Sequence, residues 1–272
     1  MTAAGVFEEL AFDTGEVKIN YARFPKNGPP LLFIHGVTST WGGWDAIIPH
    51  FTADWQCYAM DLRGHGKSGH IPGQYHRDKY AADAAKLITD VIGEPTVVVG
   101  SSLGATTAMT TASLIPDMVK AVIFSDPPML VHRRPGEHAR ERFSRRLEQI
   151  RAAKSPSDLF DMARQQVESD EAARERASGW LKMDVNVLES TIDGSAVAGW
   201  DVEGQLRRVT SRALLLQADP ETGGVLSDEE AARTAELLAD CTHIKWSGCG
   251  HSMHHEFPQR FVDTVKEFLA NA

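Results

Sequence analysis

The sequence predicts an α/β protein built on a mostly parallel sheet and interrupted once by a helical insertion. Three observations predict it. Short apolar, β-branched runs alternate with stretches of helical period up to residue 128 and resume after residue 208. Between those points the chain turns charged and helical. Finally, Thr96-Val97-Val98-Val99 runs into Gly100-Ser101-Ser102-Leu103-Gly104 and then the small-residue stretch 105–114. That is a strand, a sharp turn and a helix in succession.

Taken in order, residues 6–12 and 16–24 read as an opening antiparallel pair, with Asp13-Thr14-Gly15 as the hairpin turn. Strands follow at 31–34, 56–60, 96–99 and 121–125, with helices near 78–92 and after Ser102. Such alternation favours right-handed βαβ units and parallel strands. Continuous apolar runs fit strands covered on both faces. The alternation stops at about Pro128. Beyond it, Phe143, Leu147 and Ile150 fall at i, i+4, i+7, and Phe160, Ala163 and Val167 at i, i+3, i+7. These are amphipathic helices. The arginine-rich run 133–151 reads first as a solvated helix face, and second as a site for an anionic substrate. Strands resume at 213–217 and 242–246. The core is therefore expected over 1–128 and 209–272, with 129–208 as an inserted cap.

A chain of 272 residues is one large domain, or one domain with an insertion. Its 28 basic and 37 acidic residues give a net charge of −9, which speaks against a nucleic-acid partner. No stretch approaches the ~20 apolar residues of a membrane span. No basic segment followed by an apolar run opens the chain, so no signal peptide is expected. Cys57, Cys241 and Cys249 are few and odd in number, which predicts reduced thiols and a cytoplasmic location. Cys249, close to His251, is a less favoured candidate for a catalytic thiol.

In the strand–turn–helix motif, the flanking glycines let strand and helix approach closely, and the Ser102 hydroxyl stands free to attack a carbonyl carbon. Upstream, the strand 31–34 ends in His35-Gly36. After such a strand, backbone N–H groups can meet a developing oxyanion, and Val37 and Leu103 are the expected donors. Asp61-Leu62-Arg63-Gly64-His65-Gly66-Lys67-Ser68 follows another strand, and Gly248-Cys249-Gly250-His251 follows the last one.

With these motifs the chain resembles the α/β-hydrolase family over roughly residues 30–270. The matching elements are His35-Gly36, the 61–68 loop, the 100–104 turn and Gly250-His251. The resemblance implies a mostly parallel eight-stranded sheet flanked by helices, with a mobile cap over the active site. It implies Ser102 as nucleophile and His251 as the base that takes its proton. The acid that orients His251 has two candidate loops. In the family it usually follows the seventh strand, a few residues beyond a glycine. Here that loop reads Gln217-Ala218-Asp219-Pro220-Glu221-Thr222-Gly223-Gly224; the glycine is absent, Asp219 comes early and Glu221 holds the customary offset. The other loop follows the sixth strand, where Asp126 stands before Pro127-Pro128. Haloalkane dehalogenases and fungal zearalenone lactonases carry their acid there. Asp126 is expected, with Asp219 and then Glu221 as alternatives. A plain structural role for Asp126 is a helix N-cap before Pro127.

His35 is expected to buttress the oxyanion loop, and Asp61, Arg63 and His65 to serve a structural turn. Gly36, Met129, Trp180 and Met183 are expected at the substrate, with Trp41, Trp44, Leu130 and Leu181 as further candidates for an apolar pocket; core packing is the alternative for each. His251, His254 and His255 form a trio, but no glutamate follows the first histidine as in zinc proteases. Neither metal nor cofactor is expected. The expected activity is hydrolysis of a carboxylic ester or lactone of a largely apolar small molecule, through an acyl-serine. The likeness to zearalenone lactonases in Ser102, Asp126 and length implies a macrolactone. A carbon–carbon bond hydrolase of the meta-cleavage type and a cofactor-free peroxidase use the same triad. A non-catalytic small-molecule receptor is less favoured. Oligomeric state is not legible.

Overall fold

The computed structural model describes residues 6–130, 137–167 and 169–270, without the side chains of residues 137–139. Eight strands form one sheet among the described residues: β1 (Glu8–Asp13), β2 (Lys18–Arg23), β3 (Pro30–Ile34), β4 (Gln56–Met60), β5 (Thr96–Ser101), β6 (Val119–Ser125), β7 (Arg212–Ala218) and β8 (Cys241–Trp246). Their order is β1-β2-β4-β3-β5-β6-β7-β8. The β1–β2 and β2–β4 pairs are antiparallel and all others parallel. The expected opening hairpin and mostly parallel sheet are both present.

Alternate residues of a strand face opposite sides of the sheet, and here both sides are covered. Leu32, Ile34, Met60, Val98, Val122, Phe124 and Leu215 pack with α1 (Arg77–Lys86), α2 (Leu103–Leu114) and α8 (Asp228–Leu237). Leu31, Phe33, Ala59, Val97, Val99, Ile123 and Leu216 pack with Trp44, Ile48 and Phe51 and with α9 (Pro258–Ala270). Each fully buried Val, Leu or Ile contributes about 1.5–3 kcal/mol, so the double coverage makes the sheet a rigid frame. The helix expected near 78–92 is α1 continued by a π-helical stretch, Leu87–Ile92.

Between β6 and β7 lie α3 (Glu137–Ala152), α4 (Pro156–Arg164), α5 (Asp170–Leu181), α6 (Asn186–Ile192) and α7 (Val202–Arg208). A capping box of Ser155 and Asp158 starts α4. Leu159, Ala163, Ala173, Ala177 and Trp180 give α4 and α5 a small core of their own. Leu147, Val187, Leu188, Val202 and Leu206 join the core of the sheet instead. Asp184 ties this helical segment to the connection between β4 and α1: its N–H donates to Gly64 O at 2.8 Å, and its carboxylate accepts from Tyr75 OH at 2.5 Å. No helix among the described residues is long and apolar enough to cross a membrane.

Candidate active site

Ser102 sits between the end of β5 and the start of α2 with φ 53° and ψ −113°, a backbone state that L-residues rarely adopt. Steric crowding explains the glycines on either side. A Cβ on Gly100 would lie 2.2 Å from Gly104 O, and one on Gly104 would lie 2.1 Å from Ile34 O. Ser102 N–H donates to Ser125 O at 3.0 Å, which pins the turn to β6. Leu103 is the first residue of α2, so its N–H has no intrahelical acceptor.

Asp126 follows β6 and is fully buried, also with positive φ, 42°. No helix starts at Pro127, so the N-cap role does not apply. Its carboxylate is held by backbone donors instead: Val225 N–H at 2.8 Å, Ala218 N–H at 3.3 Å and Leu226 N–H at 3.4 Å. Oδ2 also lies 2.6 Å from His251 Nδ1. A carboxylate at Nδ1 keeps the proton on that nitrogen and leaves the Nε2 lone pair free. The loop bearing His251 is braced by Gly250 N–H, which donates to Glu256 Oε2 at 2.7 Å.

Ser102 and His251 line one cavity of about 220 Å³, with Gly36, Val37, Trp44 and Trp180 also in its wall. His35 fixes the loop that carries Gly36 and Val37. Its Nε2 accepts from Leu62 N–H at 3.0 Å, so Nδ1 carries the proton and donates to Gly36 O at 2.7 Å. Burial pulls its pKa down to about 4, which keeps the ring neutral.

The sequence model of the alpha/beta hydrolase fold matches residues 29–258. The chain belongs to the α/β-hydrolase fold family. A 2-(acetamidomethylene)succinate hydrolase of Mesorhizobium japonicum is 26% identical, over 98% of this chain and 97% of that one. Lipase LipV of Mycobacterium tuberculosis is 26% identical, over 93% of this chain and 98% of that one. The crystal structure of an E-2-(acetamidomethylene)succinate hydrolase shares the fold with a TM-score of 0.83 at 22% identity, covering 97% of this chain and all of that one. These likenesses support hydrolase as the class of activity.

Elsewhere in this α/β-hydrolase, several expected residues have other surroundings. Asp219 does not reach His251; its carboxylate accepts from Gly248 N–H at 2.8 Å and Glu221 N–H at 3.0 Å. Those two donors hold its pKa below the usual carboxylate range. Glu221 is exposed. Met129, in the turn after β6, and Met183, just past the end of α5, are buried in the core that covers the sheet and are not in the cavity wall. Cys249 is buried, which pushes its thiol up to about 11. Asp61 accepts from Trp41 N–H, Lys67 N–H and Asn20 Nδ2, and Arg63 is bonded to Asp83, so both serve the turn. Among the described residues no group of three or more His, Cys, Asp or Glu could hold a metal. His254 stacks on Trp44 at 4.2 Å instead.

The cavity is not the apolar pocket the sequence suggested. Arg142, Arg146, Arg176 and Glu175 are in its wall. The first two belong to the run 133–151 and stand at i, i+4; Arg133 and Arg134 lie outside the described residues. No sequence signal marked Arg176 or Glu175, since the docking of α5 alone brings them there.

Proposed function

We propose that this hydrolase cleaves a carboxylic ester, or the ester bond of a lactone, through an acyl-serine at Ser102. The observation that carries the reading is the 2.6 Å contact between Asp126 Oδ2 and His251 Nδ1 beside a cavity that Ser102 lines. In this scheme Asp126 orients His251 and stabilises the imidazolium. His251 Nε2 takes the Ser102 proton as Oγ attacks the carbonyl carbon, then returns it to the leaving alcohol. The oxyanion accepts hydrogen bonds from the N–H groups of Val37 and Leu103. Loss of one such donor typically costs 10²–10³ in rate. Water then repeats the sequence on the acyl-serine and releases the acid. No cofactor enters these steps.

Residues 129–208 act as the cap, with Trp180 in the wall that meets substrate. The cavity of about 220 Å³ supports a small substrate rather than a macrolactone. A second reading has one observation behind it. The full-length relative is named for hydrolysing 2-(acetamidomethylene)succinate, which supports an amide-linked acyl group as an alternative to an ester, on the same triad. The three free cysteines support a reducing, cytoplasmic setting.

The test is labelling by a fluorophosphonate probe together with turnover of a panel of aryl esters, lactones and anilides. Ser102 is expected to take the label. Ser102→Ala is expected to lose it, and to lose roughly 10³-fold or more in turnover, with an unchanged melting temperature. Wild-type-like hydrolysis by clean Ser102→Ala would end the reading.

A further inference from the structure

Among the described residues three guanidinium groups line the cavity that holds Ser102 and His251: Arg142 and Arg146 from α3, and Arg176 from α5. Residues four apart share a helix face, so Arg142 and Arg146 reach the cavity together. Arg145 and Arg151 of the same helix lie outside its wall, and Arg151 pairs with Glu189. The arginine-rich run is therefore split between cavity and solvent. Among the described residues no carboxylate forms an ion pair with Arg142, Arg146 or Arg176. Among the described residues Glu175 is the one carboxylate in the wall; it accepts from Ser39 Oγ at 3.0 Å and attracts the neighbouring Arg176 without forming an ion pair. A cationic pocket thus stands in a chain whose net charge is −9.

Arg146 is the most constrained of the three. Its guanidinium carbon lies 4.0 Å from the Trp180 ring centroid. Its Nη2 donates to Gln166 Oε1 at 2.7 Å, while Nη1 is buried with no partner among the described residues. Stacking and one hydrogen bond fix the plane of the fork, and the orphaned donor suits a carboxylate or phosphate oxygen. Burial and the charges of Arg176 and Arg142 draw its pKa down to about 10. It stays charged at neutral pH, and an anion among the three groups relieves their repulsion. An apolar acyl chain gives none of these donors a partner.

We propose that Arg142, Arg146 and Arg176 form a subsite for an anionic oxygen group, carboxylate or phosphate, carried by the substrate. The enzyme then acts on small acidic acyl compounds, an assignment that rests on the serine-hydrolase reading for the chemistry beside it. The subsite selects among substrates through charge-assisted hydrogen bonds, and its preference weakens as salt rises.

The test compares kcat/KM for 4-nitrophenyl hemiglutarate, which carries a free carboxylate, with that for neutral 4-nitrophenyl pentanoate. The wild type is expected to favour the anionic ester by roughly 10–100-fold, the range of one or two charge-assisted hydrogen bonds. Arg146→Gln is expected to cut that ratio about tenfold or more, mostly through KM. Arg142→Gln and Arg176→Gln, each checked by thermal melting, guard against loss of the Trp180 stack as the cause. Arg145→Gln, on the outer side of α3, is expected to leave the ratio within about twofold. A wild-type ratio near or below one overturns the proposal, as does a ratio unmoved by all three cavity variants. If neither ester turns over and Ser102 takes no label, the serine-hydrolase reading has failed and calorimetry reads the subsite alone. Glutarate or inorganic phosphate binding to the wild type, weakened in Arg146→Gln, sustains it, and the tighter anion identifies the source. Absence of binding by either at millimolar concentration overturns it.

Discussion

Ser102 and Asp126 stand at the carboxyl ends of neighbouring strands, and both hold a positive φ, 53° and 42°. Such states cost of order 1–3 kcal/mol each. They persist because the sheet over-determines them: Ser102 N–H donates to Ser125 O and Asp126 N–H to Leu216 O. The same frame separates the two carboxylates that the sequence left in competition. Asp126 is buried and bonded to His251, whereas Asp219 spends its oxygens on Gly248 and Glu221 N–H. Asp219 therefore braces the turn that leads to His251. Asparagine at 126 removes the charge and favours the wrong imidazole tautomer. Asp126→Asn is expected to lower kcat by roughly 10³–10⁴ with a far smaller change in KM. Asp219→Asn is expected to lower kcat by less than about tenfold and to cost some thermal stability, through a weaker hydrogen bond to Gly248. Steady-state kinetics and melting of both variants decide the matter. A crippled Asp219→Asn beside an active Asp126→Asn would move the acid to the loop after β7.

The loops after β3 and β4 meet through two buried histidines, His35 and His65, whose ring centroids are 5.1 Å apart. Burial pulls their pKa values down to about 4 and about 3. Below the ordinary histidine value of 6.5 the unfolded chain takes up protons that the folded chain refuses. Stability is therefore full above about pH 6.5 and falls as pH drops towards 4, by a few kcal/mol at most for His35. Glutamine can replace both hydrogen bonds of His35, to Gly36 O and from Leu62 N–H, without titrating. His35→Gln is expected to lose less melting temperature than the wild type between pH 7 and pH 4.5. Equal losses would show that His35 does not set this dependence. What was legible in the sequence follows the same division between local and long-range causes. The turn at Ser102 was legible because Gly100 and Gly104 answer a local steric demand. Asp126 was legible because strand ends gather functional groups. Arg142 and Arg146 were visible as a charged run, but which arginines turn inward depends on how α3 docks. Met129 and Met183 were misplaced because an apolar residue reads alike in a core and in a cavity wall.

At the scale of the whole molecule, the helical segment meets the loop after β3 at Gly179 of α5. A Cβ there would lie 2.3 Å from Thr38 O, so helix and loop touch backbone to backbone. A glycine inside a helix costs about 1 kcal/mol relative to alanine, and read from sequence it is only a weakness; the docking contact explains it. Both partners of that contact carry cavity wall. Thr38, with φ 68°, follows Val37 in the loop after β3. On α5, Arg176 and Trp180 flank Gly179 in the wall, and Glu175 accepts from Ser39 Oγ. Separating α5 from the loop therefore moves the arginine side and the Val37 side together. Gly179→Val forces that separation, because neither backbone can yield by the distance a branched side chain needs. The sheet core lies on the other elements and stays packed, so far-UV circular dichroism is expected to be unchanged. Overpacking of this kind costs typically 1–3 kcal/mol, a fall of a few degrees in melting temperature. Activity is expected to fall by roughly tenfold or more on the neutral and the anionic ester alike, since the loop with Val37 and the arginines both shift. Loss confined to the anionic ester would place the whole effect on α5 and leave the loop after β3 undisturbed. A melting temperature lowered by several degrees with both activities intact would make the contact a fastening of the helical segment and nothing more.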